Sequence, residues 1–553
     1  MTSEVNRRKA FYNIIKEEEP VKKLFALVLA LALVMSLVGV VSAEEVQTIN
    51  ACIGSQPETL DPQLNSASDG SNYIKHLFEG LMKYGWNGEG IVNGAAESYE
   101  VSDDGMVYTF HIREDAKWSD GQDLTAEDFV YTMKRLVDPE IAAPYAGDMG
   151  KYILNGLDIS MGEKEVDELG VKAIDNKTIE ITLQDPCAYF LEVMAFPTYY
   201  PVRQDIVEAN GVAWATTPET LIGNGPYTLE SYTMDEEIVM VPNENYYDVD
   251  KLVCKRICWK LITDPNAKLA AMRAGELDWC DDYPTEELAS LREEGLFYTE
   301  PQLGTYYVNI NNTVEPFTDA RVRKALQLAI DPYYLAETVT QNTYLPATDF
   351  VGNGFVADDG SDFGDFDTVI DRSDYQANIA KAQELLAEAG YPNGEGFPTV
   401  EYCTNVSGVH VATAEALQAM WKENLGINIE ITQMEWNVFL AARREGEHTL
   451  ARDGWVADFN DPSNLLDLFT SYSGNNSTFY NNPEYDELMK KVAASTDAAE
   501  RMALMHQAEA LAVGEEACCI PVYYYATTWI AVPEISGVTT FPTGEKLFMN
   551  AAK

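Results

Sequence analysis

The run Arg452-Asp453-Gly454-Trp455-Val456-Ala457-Asp458-Phe459-Asn460-Asp461-Pro462 holds the residues best placed to do chemistry. Asp458 sits between Ala457 and Phe459, at the end of an apolar, strand-like stretch where alternation offers it no solvated face. A carboxylate buried without a partner costs several kcal/mol, so this acid either meets an internal Arg or Lys or waits for a cationic group on a ligand. Three arginines stand close by in sequence, Arg443, Arg444 and Arg452. Acid and base together suit a zwitterionic ligand, whereas a neutral sugar needs neither charge. The chemistry implied is recognition.

Reactive constellations are missing from the sequence. It contains no G-x-S-x-G, H-E-x-x-H, Walker A or strand-to-helix G-x-G-x-x-G motif. The five histidines, at 76, 111, 410, 448 and 506, show no metal-ligand spacing, and no C-x-x-C pair occurs. No metal and no cofactor is expected. Paired carboxylates abound in so acidic a chain and do not by themselves support a glycosidase. A secreted hydrolase would need a nucleophile–base pair, and none is visible. Nine Trp and 31 Tyr are enough to line an aromatic pocket.

The positioning elements follow. Val107–Arg113 alternates as a half-buried strand, Asp120-Gly121 turns, and Thr125 caps a helix carrying Phe129, Val130 and Met133. Val46–Ile53 reads as a first strand, and Tyr73–Tyr84 carries helical spacing through Ile74, Leu77, Phe78, Leu81 and Met82. LVCKRICWKL reads as a strand that places Cys254 and Cys258 on one face about 13 Å apart, beyond disulfide reach. Cys518 and Cys519 are adjacent and read as core. No linker is visible, so the lobes of a 553-residue chain should exchange strands instead of following one another.

With 38 Lys and Arg against 89 Asp and Glu, the net charge is −51. That excludes nucleic acid and anionic membrane surfaces as partners, since both demand a basic face. Lys22-Lys23, the apolar run Leu24–Val41 and Val41-Ser42-Ala43 form a secretory signal, residues 1–43, cut after Ala43; an uncleaved anchor is the alternative. Val21 reads as the true start. Leu37-Val38-Gly39-Val40 is a lipobox with its Cys replaced, so the protein is exported to the periplasm or outer face of the envelope without standard lipid anchoring.

Residues 452–462 closely resemble the G-W-x-A-D-(Y/F)-N-x-P motif of the oligopeptide-binding proteins within family 5 of the extracellular solute-binding proteins of ABC importers. GMVYTFHIREDAKWSDGQDLTAEDFVYTMKRL, residues 105–136, is similar to that family's signature. Further landmarks run in order: Gly223–Tyr227, Asn245–Tyr247, Pro316–Leu326, Leu385–Tyr391 and Ile520–Tyr525. The resemblance covers nearly everything after residue 46. It implies an α/β fold of the periplasmic-binding-protein type (type II, cluster C), with two main lobes, a hinge, a cleft and an inserted extra lobe. Lobe I would comprise 44–78, 205–306 and 526–553, inserted lobe II 79–204, and lobe III 307–525.

The resemblance also implies roles. Asp458 would take a peptide's free α-amino group, and Gly454, Trp455 and Val456, with Ala457, would offer a strand edge to its backbone. Arg443, Arg452 and His410 match positions that receive the terminal carboxylate of peptides of different lengths. Trp455 and Trp436 would be pocket walls, Tyr145 an inserted-lobe cover, and Tyr306 and Tyr307 weaker crossing-strand candidates. Ser66 and Ser68 stand where the family often has an acid and an apolar residue, and Thr313-Val314 where it has a lysine. The expected partners are short peptides and an ABC permease complex, with the receptor a monomer. Alternatives are a same-fold receptor for a nickel chelate, haem or an oligosaccharide, and a peptide-sensing or chaperone-like binder. The mature protein is expected to begin at Glu44 and carry no lipid, as intact mass and N-terminal sequencing would show; a diacylglyceryl adduct on Cys52 would defeat this.

Overall fold

A sheet mixing parallel and antiparallel strands forms the frame. Its strand order is Ile429–Met434, Val400–Asn405, Leu450–Val456, Phe297–Ile310, Cys519–Ala531, Trp279–Cys280, Ile49–Cys52, Ile257–Lys260, Glu237–Pro242 and Tyr227–Thr233, with Leu345–Pro346 added beside Cys519–Ala531. The computed structural model describes residues 47–553 except 55, 188, 356–361, 366, 367 and 496; the signal segment 1–43 lies outside the described residues. No helix among the described residues is long and apolar enough to cross a membrane.

Two strands, of 14 and 13 residues, run through the middle of the frame. Phe297–Pro301 pairs with Ile530–Ala526, the register then shifts, and Thr305–Asn309 pairs with Tyr524–Cys519. Each strand thus serves two parts of the sheet, and the chain exchanges strands as its lack of linkers suggests. To one side lie strands parallel to Ile49–Cys52, and to the other strands parallel to Val400–Asn405. Parallel strands need crossover helices that cover the faces. Helix Gly408–Leu425 is one of them, packing Leu417, Trp421 and Leu425 into the core.

A separate four-stranded antiparallel sheet joins Ala96–Val101, Val107–Ile112, Thr178–Thr182 and Val171–Asp175. Tyr108, Phe110 and Ile112 are buried in it, as alternation requires. Thr125 and Asp128 form a capping box at the start of helix Ala126–Val137.

Two expectations change. Helix Ser68–Leu77 begins earlier and stops sooner than the apolar spacing of 73–84 suggests. The backbone is extended at Phe78, Leu77 O accepts the Gly225 N–H at 3.0 Å, and Met82–Tyr84 forms a strand. Only Ile257–Lys260 of LVCKRICWKL is strand, because the Val253 and Cys254 N–H groups both donate to Met549 O instead of to a neighbouring strand. All eight cysteines are free thiols; Cys518 and Cys519 are core, and Cys52 is buried within the first strand.

The turn Pro57–Pro62 is fastened by charge. Asp61, only 2% exposed, accepts both terminal nitrogens of Arg135 at 2.8 and 2.7 Å and the Trp214 indole N–H at 2.8 Å. Removing one member of such a pair leaves the other charge buried alone, at a cost of about 3–5 kcal/mol. Asp61→Leu is therefore expected to destabilise by roughly that amount, read as a lowered urea midpoint with an unchanged slope.

Candidate functional site

Strand Leu450–Val456 builds the site. On one flank it pairs with Gly304–Ile310; on the other, Val400–Asn405 reaches only Leu450 and Ala451. From Arg452 to Val456 no strand among the described residues pairs with that second flank. Arg452, Gly454, Trp455, Val456 and Asp458 instead line a cleft of about 290 Å³ together with Tyr145, Arg443, His410 and Trp436. All nine residues singled out for ligand contact therefore meet around one cavity. Ala457 differs: it is fully buried and its N–H donates to Leu303 O at 2.8 Å, so it offers no edge. Gly454 is required by a close approach, since a Cβ there would stand 2.0 Å from the Tyr525 hydroxyl oxygen. Its N–H is taken by Asp453 Oδ1 at 2.8 Å.

Asp458 follows the strand's end. Asn464 holds it from both sides: Asn464 Oδ1 accepts the Asp458 N–H at 3.0 Å, and Asn464 Nδ2 donates to Oδ2 at 3.0 Å. The same Oδ1 accepts the Trp455 indole N–H at 2.9 Å, so one asparagine sets both residues. The Tyr145 hydroxyl donates to Asp458 Oδ1 at 3.3 Å, and its ring lies 6.0 Å from that of Trp455 and 4.9 Å from Phe196. No cation stands within ion-pair distance of Asp458 among the described residues. Lys75 acts on it only at a distance, its ammonium being bound to Glu545 Oε1 at 2.8 Å. Burial pushes the Asp458 carboxyl up to about 7, with Asn464 and Lys75 opposing and Asp148 adding to the rise.

The cations are not alike. Arg443, in the last turn of helix Trp436–Arg444, is bound to Asp453, which also accepts from Asn309 Nδ2 at 2.9 Å. Its charge is already matched. Arg452 is buried, donates through Nε to Asn405 Oδ1 at 2.6 Å, and lies over the rings of Trp436 and Phe439, each 5.2 Å away. It makes no ion pair among the described residues. His410, in the first turn of its helix, is held well below the usual histidine range by burial, with Arg452 and Lys268 adding to the effect. It faces the cleft as a neutral ring, not as the cation its position suggests. Trp436 is half-buried at the cleft wall.

Tyr306 and Tyr307 are core residues and do not line the cleft; Tyr306 stacks on Tyr523 at 4.6 Å. Ser66 and Ser68 do line it. Sequence reasoning missed Asn464, Tyr525, Lys75 and Glu545. A signal existed for Lys75: Ser68, Asn72 and Lys75 recur at helical spacing on the cleft side of an otherwise buried helix.

Residues 90–477 match the family described as bacterial extracellular solute-binding proteins, family 5 Middle. The chain is 34% identical over 512 residues to the oligopeptide-binding protein OppA of Bacillus subtilis (strain 168), covering 91% of this chain and 92% of that one. It is 35% identical over 493 residues to the probable deoxycholate-binding periplasmic protein YgiS of Escherichia coli (strain K12), covering 87% and 89%. Among solved structures, Haemophilus influenzae OppA in complex with RPPGFSPFR matches with a TM-score of 0.86 at 32% identity, covering 92% of this chain and 99% of that one.

The raised Asp458 pKa has a consequence for stability. An unfolded Asp titrates near 3.9, so ionising Asp458 opposes folding. That cost is absent below about pH 4, grows up to about pH 7 and is constant above. Asp458→Asn is therefore expected to stabilise the ligand-free protein progressively across that window, by up to about 1.4 kcal/mol per pH unit, as urea unfolding at several pH values would show.

Proposed function

The chain belongs to the bacterial extracellular solute-binding proteins of family 5, and on that footing we propose that it is a receptor outside the cytoplasm. It captures short peptides and presents them to an ABC importer. It binds without altering its cargo, and it works as a monomer.

The observation carrying this reading is Asp458, enclosed on all sides but the cleft and lacking an ion-pair partner among the described residues. An α-ammonium supplies the missing charge through a charge-assisted hydrogen bond, and Asn464 and Tyr145 hold the acceptor in place. Arg452, without an anion partner among the described residues, stands at the other end. Four residue steps from Val456 to Arg452 span about 13 Å, the length of an extended peptide of roughly three to five residues. Between them the unpaired flank of the strand faces the peptide backbone, which gains affinity without regard to side chains. An anionic steroid such as deoxycholate, the solute named for one relative, would answer Arg452 and leave Asp458 uncompensated.

The lobe division 44–78, 205–306 and 526–553, 79–204, and 307–525 places the changeover within the two long central strands. Their register shifts between Pro301 and Thr305 and between Tyr306 and Tyr307 are the natural points of bending. Closure then brings Tyr145 of the inserted lobe over the ammonium, a hinge motion driven by the ligand's preference for the closed form.

Removing one partner of a desolvated charge pair costs about 2–5 kcal/mol. Asp458→Asn is expected to weaken free-amine tri- to pentapeptides by tens of fold or more, measured by calorimetric titration. N-acetylated peptides should bind the parent protein poorly and respond little to the substitution. Equal binding of free and acetylated peptides by the parent would remove Asp458 as the anchor.

A further inference from the structure

Beyond Arg452 the cleft continues into a second chamber of about 220 Å³, sharing Ser68, Asp281, Tyr344, His410, Trp436 and Arg452 with the first. Three acids line it, and two of them are matched. Asp281 faces Lys546 at 3.6 Å and accepts the Gly54 N–H at 3.1 Å; Asp282 faces Lys268 at 3.6 Å and accepts the Tyr283 N–H at 2.9 Å. Asp69 is not matched. It is 8% exposed, its Oδ1 accepts only the Gly70 N–H at 2.9 Å, and its Oδ2 has no hydrogen-bond partner among the described residues. The Trp436 indole nitrogen approaches this carboxylate without reaching hydrogen-bond geometry. No cation lies within ion-pair distance of Asp69 among the described residues.

Among the described residues the chamber therefore holds one acid without a base, Asp69, and at its mouth one base without an acid, Arg452. Burying either alone is costly, and a ligand carrying both opposite charges relieves both at once. We infer that this chamber selects peptides whose last residue is lysine or arginine, with Arg452 receiving the terminal α-carboxylate and Asp69 the side-chain cation. The inference rests on the peptide reading above and adds a preference to it. Burial pushes the Asp69 carboxyl up to about 7, with Asp281 contributing after the opposing Gly70 amide. A cation in the chamber would hold it ionised. The other lysines are already committed to Asp281 and Asp282, so the protein cannot supply that cation from the same wall.

Calorimetric titration of the parent protein and of Asp69→Asn with Ala-Ala-Ala-Lys, Ala-Ala-Ala-norleucine and Ala-Ala-Lys-Ala tests this. The parent is expected to bind Ala-Ala-Ala-Lys at least tenfold more tightly than either of the others. Ala-Ala-Lys-Ala has the same composition and net charge, so it excludes general attraction of cations to an acidic protein. In Asp69→Asn the three affinities should converge to within about threefold, with a parent-like circular dichroism spectrum and cooperative urea unfolding as evidence of an intact fold. Equal affinity of the lysine and norleucine peptides for the parent would overturn the inference and leave the peptide reading standing, whatever the variant does. A lysine preference that survives in Asp69→Asn would overturn it too. If no free-amine peptide binds the parent at all, the peptide reading falls and this inference falls with it.

Discussion

A charge taken out of water must be matched inside the protein, and this requirement organises the molecule. Asp61 with Arg135, Asp461 with Arg501, Lys75 with Glu545, Asp467 with Lys151 and Asp453 with Arg443 are buried or nearly buried pairs, several with further hydrogen bonds on the same carboxylate. A buried pair gains little net stability over an apolar packing, but breaking it is expensive, so each pair holds two segments in one arrangement. Arg135 ties the inserted segment to the first turn, and Arg443 ties its helix to the central sheet. Against this background the unmatched groups stand out. Asp458 and Asp69 border two cavities that share part of their lining, and Arg452 borders both.

The sheet supplies what the charges cannot. Main-chain hydrogen bonds of Leu450–Val456 with Gly304–Ile310 fix one flank of the binding strand. The short reach of Val400–Asn405 leaves the other flank open from Arg452 onward. That single difference in strand length leaves an interior strand with one flank open to the cleft. Asn464 then sets the far end: by accepting from Trp455 and Asp458 and donating to the Asp458 carboxylate, it fixes an aromatic ring and an acid with one side chain. The same two long strands continue through both parts of the sheet and join them into one frame.

Where local chemistry decides structure, the sequence was readable. Thr125 caps its helix because a hydroxyl three residues before an acid satisfies the first free N–H groups, and this needs no distant partner. Val107–Ile112 alternates because one face is buried. Where a distant backbone group competes, local reading failed. Met549 O captures two amides that spacing had assigned to a strand, and Gly225 meets the carbonyl at which helix Ser68–Leu77 ends. Tyr306, a crossing-strand candidate from the resemblance, is enclosed by Tyr523 and Tyr402.

By itself the sequence pointed to recognition through its resemblance to a family of binding proteins, and it singled out Asp458 as an acid with no obvious solvated face. Residue type and neighbours alone made a solvated Asp458 improbable. Which cations are spoken for is a different matter. Arg443 and Arg452 are indistinguishable as arginines in a row of charged residues, and only the folded sheet places Asp453 against one and Asn405 beside the other. The same holds for Asp69, one acid among 89 Asp and Glu, distinguished only when folding gives lysines to Asp281 and Asp282 and none to it. Charge matching depends on distances of a few ångströms between residues far apart in the chain, and those distances exist only in the tertiary structure.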